Sequence, residues 1–357
     1  MSAHEPDWMQ RFDATLLRRM NSPGWRDSLT LYVTDDHGGA WSRNLAREGA
    51  TTEPALTNTT PFRIASVTKV YVAAALVRLV ETGGLKIASP VATWLTAPTL
   101  NALIGSGYDP QSITIDHLMR HVSGLRDHCS CDAFLDRLRS EPSHRWSRLE
   151  QVQVAMALGG AMCAPGETFN YSDTGYVLLG EILEQACGLS LAVALRRLLA
   201  FERLGLHRTW LDSIDPVPPD LPAYAPQFLQ DIDANAFDAS FDLFGGGGLV
   251  STLTDLDRFF RALFDGRVFE QVDTLKRLLD AMRTPCGFDG FSHNGLLFQR
   301  SLAGLDCFGH TGFWGVIAAC IPERGLVFSA TFNRSRQDGA YEPDELLEDF
   351  VQSLNPP

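Results

Sequence analysis

Ser66 and Lys69 stand three residues apart in "RIASVTKVYVAAALVRLV" (63–80), a run that is otherwise almost wholly apolar. A lysine in such a run needs a partner or must give up its charge. On a helix, residues three apart share a face, so the hydroxyl and the amine meet. If the helix begins near Ser66, the hydroxyl also sits at the positive end of the helix dipole. A serine there becomes a nucleophile when a base takes its proton. A lysine serves as that base when burial lowers its pKa. The pairing alone is a weak signal, because a capping serine followed by a surface lysine has the same spacing.

Two later stretches add to it. "FNYSDTGYVLLGEIL" (169–183) offers Tyr171 and Asp173 just before a helix. "FGHTGFWG" (308–315) offers His310, Thr311 and Gly312 on an expected strand. The order S-x-x-K, then Y-x-N or S-x-N, then K-T-G or H-T-G is the three-element signature of penicillin-recognising serine hydrolases. The phrases "PFRIASVTK", "LMRHVSGL", "APGETFNYSDTGYVLLGEI" and "GGGGLVSTLTDLDRFF" agree with it. The chain resembles the serine β-lactamase and D-alanyl-D-alanine peptidase superfamily. Within it, the likeness is to the class C-like branch, which also holds D-aminopeptidases, esterases and acyltransferases. It extends over nearly the whole chain.

The resemblance implies roles residue by residue. Ser66 matches the acylated nucleophile and Lys69 the amine that shares or removes its proton. Tyr171 matches the tyrosine that relays the proton to the leaving group and helps activate water. His310, Thr311 and Gly312 match the substrate-side strand, where many relatives carry the lysine of K-T-G. The implied oxyanion hole is made by the backbone N–H groups of Ser66 and Phe313; such donors are worth roughly 2.7–4 kcal/mol each. Gly312 lets the strand approach a substrate closely. One residue departs from the pattern: Asp173 replaces the usual Asn. An ionised Asp173 favours the Lys69 ammonium and shifts the proton-taking role toward Tyr171, kept acidic by nearby positive charge. A histidine at 310 can titrate near neutral pH, where an unperturbed lysine cannot.

Other features read as structural. His121 and Ser123 in "RHVSG" are expected to pack the helical region near the site, and His117, His128, His144, His207 and His293 to be surface or packing residues. "HCSCD" (128–132) supplies too few ligands for a closed metal site, and no metal or cofactor is expected. "GGGG" (245–248) lacks the G-K-[ST] of a phosphate loop and reads as a close backbone pass into a strand. Trp314, Phe313 and Tyr224 are expected to wall the pocket, with core packing the alternative for the residues beside the third motif. G-x-S-x-G and H-E-x-x-H are absent from the sequence, so neither an α/β-hydrolase nor a zinc protease has support.

These residues need elements to hold them. "SLTLYVTDD" (28–36) reads as a strand, and "GGAWSRNLAREG" (38–49) as its hairpin partner. Helices are expected over 66–82, 114–125, 146–158, 172–188, 190–205, 251–266 (opened by Ser251 or Thr254) and 271–283. After residue 290 short strand-like runs alternate with turns, and "DELLEDFVQSL" closes the chain as a helix. Residues 213–248 form a long Pro- and Asp-rich loop whose aromatic residues argue against disorder. The expected fold is α+β and β-lactamase/transpeptidase-like. An antiparallel sheet built from both termini (1–80 and 275–357) is flanked by helices, and residues 81–274 form a mainly helical lobe. The ligand is expected in the cleft between the two.

Composition narrows the functions. The 357 residues carry a formal net charge of −13, which disfavours nucleic acid and anionic membrane surfaces as partners. Seven cysteines at irregular spacing suit reduced thiols, and the N-terminus lacks the pattern of a signal peptide, so a cytoplasmic location is expected. The reading is a serine hydrolase forming an acyl-enzyme from a small ester or amide, of esterase or D-peptidase/amidase type. A β-lactamase or acyltransferase would use the same site, and a non-catalytic penicillin-binding or scaffold protein is the alternative of another class.

Overall fold

The computed structural model describes residues 7–25, 28–46, 56–281, 284–287, 290–335 and 340–354. Among them, eight strands form one antiparallel sheet. Its spatial order is Ala40–Ala46, Ser28–Thr34, Leu326–Thr331, Val316–Ile321, Leu305–Gly312, Phe298–Leu302, Phe291–His293 and Thr284–Pro285. The N-terminal hairpin is inserted beside the C-terminal strands, with Thr30 opposite Thr331, so the sheet does join both ends of the chain. The architecture is α+β, as expected.

Alternation along the strands builds two cores. On one face Phe328, Ala330, Ile317 and Ala319 pack under the helices Asp7–Met20 and Pro343–Leu354, where Phe12 and Phe350 are fully buried. The other face carries Phe308, Val316, Ala318 and Val327 toward the larger core of the helical region. The helix Leu253–Phe264 lies on this second face, against Ser28–Thr34, Val316–Ile321 and Leu326–Thr331. In sequence it falls on the helical-lobe side of residue 274.

The helix after Ser66 is central to that larger core. It runs Thr68–Glu81 and is buried on nearly every side, against Asp173–Cys187 and Leu191–Leu198. A three-residue run of alanine, Ala73–Ala75, is fully buried in it, which suits close helix approach. Two helices of this region open at side-chain caps, whereas Ser190 before Leu191–Leu198 makes no such bond. Ser147 accepts from the Glu150 N–H in a reciprocal capping box, and the Ser172 hydroxyl accepts from the Gly175 N–H.

Several boundaries differ from expectation. The helix expected over 190–205 is two, Leu191–Leu198 and Phe201–Leu204. Ala200 turns left-handed (φ 49°) between them, and Leu199 and Phe201 are both buried beside the turn. The helix Leu253–Phe264 is capped by Thr252, because Ser251 is the last residue of a strand, Leu249–Ser251. The helix expected over 271–283 runs Thr274–Ala281, and its expected end lies outside the described residues, as does the end of the hairpin beyond Ala46. Helices at Asp7–Met20, Ala97–Gly105 and Asp132–Ser140 were not expected. Among the described residues no single helix is long and apolar enough to cross a membrane.

Candidate active site

Ser66 sits in one 3-10 turn, Ala65–Val67, at the entrance to the helix Thr68–Glu81. A small sheet feeds the chain into this turn: Phe62–Arg63 pairs with Leu249–Ser251, and the Ile64 N–H donates to the Leu249 carbonyl at 3.0 Å. Ala65 is left-handed at φ 45°, a conformation that costs a non-glycine residue about 1–3 kcal/mol and recurs where a side chain must be aimed. The strand Leu305–Gly312 passes close by. A Cβ on Gly312 would lie 2.5 Å from the Ile64 carbonyl oxygen, so only glycine fits there.

The side chain of Lys69 is buried, and its Nζ has three acceptors: Ser66 Oγ at 2.9 Å, the Gly246 carbonyl at 2.5 Å and the Asp173 carboxylate. With the Tyr171 oxygen these make four polar neighbours around the three hydrogens of an ammonium. Burial alone would push its pKa down. The Asp173 carboxylate and Tyr171 outweigh burial and hold it above that of an ordinary lysine. Burial among apolar neighbours therefore does not make Lys69 a neutral base, because the residue that departs from the usual pattern pins it as a cation.

Tyr171 hydrogen-bonds Lys69 and Ser66, and the Lys69 ammonium also lies 5.1 Å from its ring centroid. The expectation of an acidic Tyr171 fails. Burial pushes its hydroxyl up, and the pull of Lys69 does not compensate. His121 holds the ring from behind. Their centroids are 4.4 Å apart, and His121 Nδ1 accepts from the Ser172 N–H at 3.1 Å. The packing role read for His121 is thus a specific one.

His310 is 4 % exposed. Burial, reinforced by the charge of Lys69, pushes its pKa down to about 3, so it is neutral at physiological pH and does not titrate near 7. Its Nδ1 lies 2.7 Å from the Thr311 carbonyl, so Nδ1 carries the proton. Nε2 is left as a bare acceptor with no hydrogen-bond partner among the described residues.

Two carboxyls not anticipated from the sequence join the group. Asp127 accepts from the backbone N–H groups of Asp173 at 3.0 Å and Cys129 at 3.2 Å. Asp242 accepts from the Gly248 N–H. Burial, then the Asp173 charge, raises both to about 7. The four glycines explain how the carboxyls come so close. A Cβ on Gly246 would meet Asp173 Oδ1 at 3.2 Å, and one on Gly247 would meet Asp242 Oδ1 at 2.2 Å. The close backbone pass read from "GGGG" is a pass against two carboxyls. Asp127, His128 and Cys129 also offer three potential ligand atoms within 4.8 Å of one another, but His128 is already bonded to Thr174 Oγ1 at 2.9 Å.

These groups open onto a cavity of about 730 Å³ between the helical region and the sheet. Ser66, Tyr171, Asp173, His310, Thr311, Gly312, Phe313 and Trp314 all line it. Phe313 is 42 % exposed at its rim, whereas Trp314 is fully buried in its wall, so lining and core packing coincide there. Tyr224 is not among the lining residues. It packs against Trp210 at 5.7 Å, while the same long loop lends Phe241 and Asp242 to the cavity instead. Phe134, Leu138 and Cys129 also line it. No motif marked Phe134 or Leu138, but "FDLFGGGG" could have drawn attention to Asp242, an acid set among aromatics and glycines.

The family model described as Beta-lactamase matches residues 14–350. Among curated proteins, Penicillin-binding protein 4 of Amycolatopsis lactamdurans is 33 % identical over 202 residues, 57 % of this chain and 48 % of that protein. Esterase EstB of Burkholderia gladioli is 35 % identical over 161 residues, 44 % of this chain and 40 % of that protein. The matched part thus spans about half, or less, of these relatives. Among solved structures, a D-stereospecific amidohydrolase from Streptomyces sp. superposes with a TM-score of 0.80 at 22 % identity, covering 96 % of this chain and 98 % of its own, which is a likeness of fold. With a family match over nearly its full length, the chain belongs to the beta-lactamase family.

Proposed function

We propose that the protein is a serine hydrolase that cleaves small esters or amides through an acyl-enzyme on Ser66. The observation that carries this reading is the contact of Ser66 Oγ with Lys69 Nζ at 2.9 Å, beside Tyr171 in an aromatic-lined cavity. Ser66 Oγ attacks the carbonyl carbon, and the backbone N–H groups of Ser66 and Phe313 receive the oxyanion. The Ser66 proton passes to the Tyr171 oxygen as Tyr171 gives its own proton to the leaving group. No free phenolate is then needed, in keeping with a phenol held well above its ordinary pKa. Lys69 stays an ammonium and stabilises the negative charge that builds between the two oxygens. Water releases the acid by the reverse relay.

The likeness to an esterase and to a D-stereospecific amidohydrolase supports an ester or amide as substrate. Intact-mass measurement with a fluorophosphonate probe tests the reading. One adduct is expected, and it is lost in Ser66→Ala. No adduct on the folded wild-type protein would favour a non-catalytic scaffold.

A further inference from the structure

The inner cavity is rich in acceptors and short of cations. Arg300 is the one basic residue among the described lining residues, and it is paired with Glu348 at 2.9 Å. Arg63, the next buried cation, is committed to Asp212 at 2.8 Å and to the Ala234 carbonyl at 2.6 Å. Lys69 is already surrounded by Ser66, Asp173, Gly246 and Tyr171. Against these stand the carboxyls of Asp173 and Asp242, both on the cavity wall, with Asp127 directly behind Asp173.

A second, independent observation points to a ligand. His310 lines the same cavity, and its Nε2 is buried, carries a lone pair and has no partner among the described residues. A buried acceptor left unmet costs about 1–3 kcal/mol, which a donor brought by a ligand recovers. A carboxylate offers no donor and would face the Asp173 carboxylate, whereas an ammonium favours the ionised form of Asp242. A primary ammonium offers three donors and a compensating charge.

We propose that Asp173, Asp242 and His310 form a cation subsite that selects substrates carrying a primary ammonium near the scissile carbonyl and disfavours carboxylate-bearing ones. This rests on the hydrolase reading and names the substrate class of that same site. The aromatic wall of Phe134, Phe241 and Phe298 suits an apolar group beside the ammonium.

The test is kcat/KM at pH 6.5 for phenylalanine methyl ester, its N-acetyl derivative and its N-succinyl derivative, in both enantiomers. These are a cation, a neutral molecule and an anion of one scaffold. The cationic ester is expected to be preferred over the neutral one by at least about tenfold, and the anionic ester to be poorest. Asp242→Asn and His310→Phe are each expected to shrink the cation-to-neutral ratio several-fold. A wild-type-only measurement guards against misfolded variants: phenethylammonium should slow fluorophosphonate labelling of Ser66, and the isosteric 2-phenylethanol should not. Equal rates for the three esters, or equal protection by amine and alcohol, would overturn the cation subsite while labelling of Ser66 left the hydrolase reading standing. Absence of labelling would instead refute the hydrolase reading itself.

Discussion

Asp242→Asn should make the protein more stable at pH 8, although it removes a charge and adds no contact. Burial and the Asp173 carboxylate raise Asp242 to about 7 in the folded state. An unfolded aspartate titrates near 3.9. Between those values the folded protein holds a proton that the unfolded chain has released. The stability contributed by that proton is fully present below about pH 4 and is lost as pH rises through about 7. A difference of about 3 units at ~1.36 kcal/mol each sets a ceiling of about 4 kcal/mol. The Asp242 side chain keeps some solvent access, which reduces the expected effect to about 2 kcal/mol. The amide of Asn mimics the protonated carboxyl and can still accept from the Gly248 N–H. Urea unfolding at pH 5 and pH 8 measures the difference. The variant should match the wild type within about 1 kcal/mol at pH 5 and exceed it by about 2 kcal/mol at pH 8. Parallel pH dependences for the two proteins would refute the argument that Asp242 is a buried acid forced to choose between charge and proton.

Three further outcomes follow from the same geometry. Asp173→Asn removes the like charge that helps raise Asp127 and Asp242, so the inflection of kcat/KM against pH for a neutral ester should move down by about 1 unit; an unmoved inflection would mean the carboxyls do not sense one another. Tyr171→Phe should lower kcat by about 10²–10⁴-fold on the same ester while the protein still folds, because the proton relay is lost and the ring packing with His121 remains. Gly180→Ala should destabilise the protein by about 3 kcal/mol in urea unfolding, since its Cβ would lie 1.9 Å from the Phe244 carbonyl oxygen, a backbone atom that cannot swing away.

The elements that carry the site were largely legible because their signals are local. The apolar run after Ser66, the capping box of Ser147 with Glu150 and the strand-like runs after residue 290 each follow from a few neighbouring side chains. The misplaced cap shows where local signals stop. Ser251, Thr252 and Thr254 are all capping types, and only the pairing of Leu249–Ser251 with Phe62–Arg63 leaves Thr252 to begin the helix. The protonation states were illegible for the same reason on a larger scale. Lys69 lies in an apolar sequence, but its partners come from Ser66 and from residues 171, 173 and 246. Tyr171 sits beside a cation, and burial still decides its state.

The replacement of Asn by Asp at 173 ties these states together. A neutral amide would still accept from Lys69 but would leave it with no charged acceptor, and would leave Asp127 and Asp242 without a charged neighbour of their own sign. The carboxylate does three things at once: it holds Lys69 as an ammonium, raises the two acids beside it, and adds an acceptor to a cavity that already has an unmet one at His310. A lysine at 310, as in K-T-G, would supply that cavity with a cation of its own. A neutral histidine there leaves the positive charge to be brought by the substrate, so Asp173 and His310 are best understood as one change in the charge the site accepts.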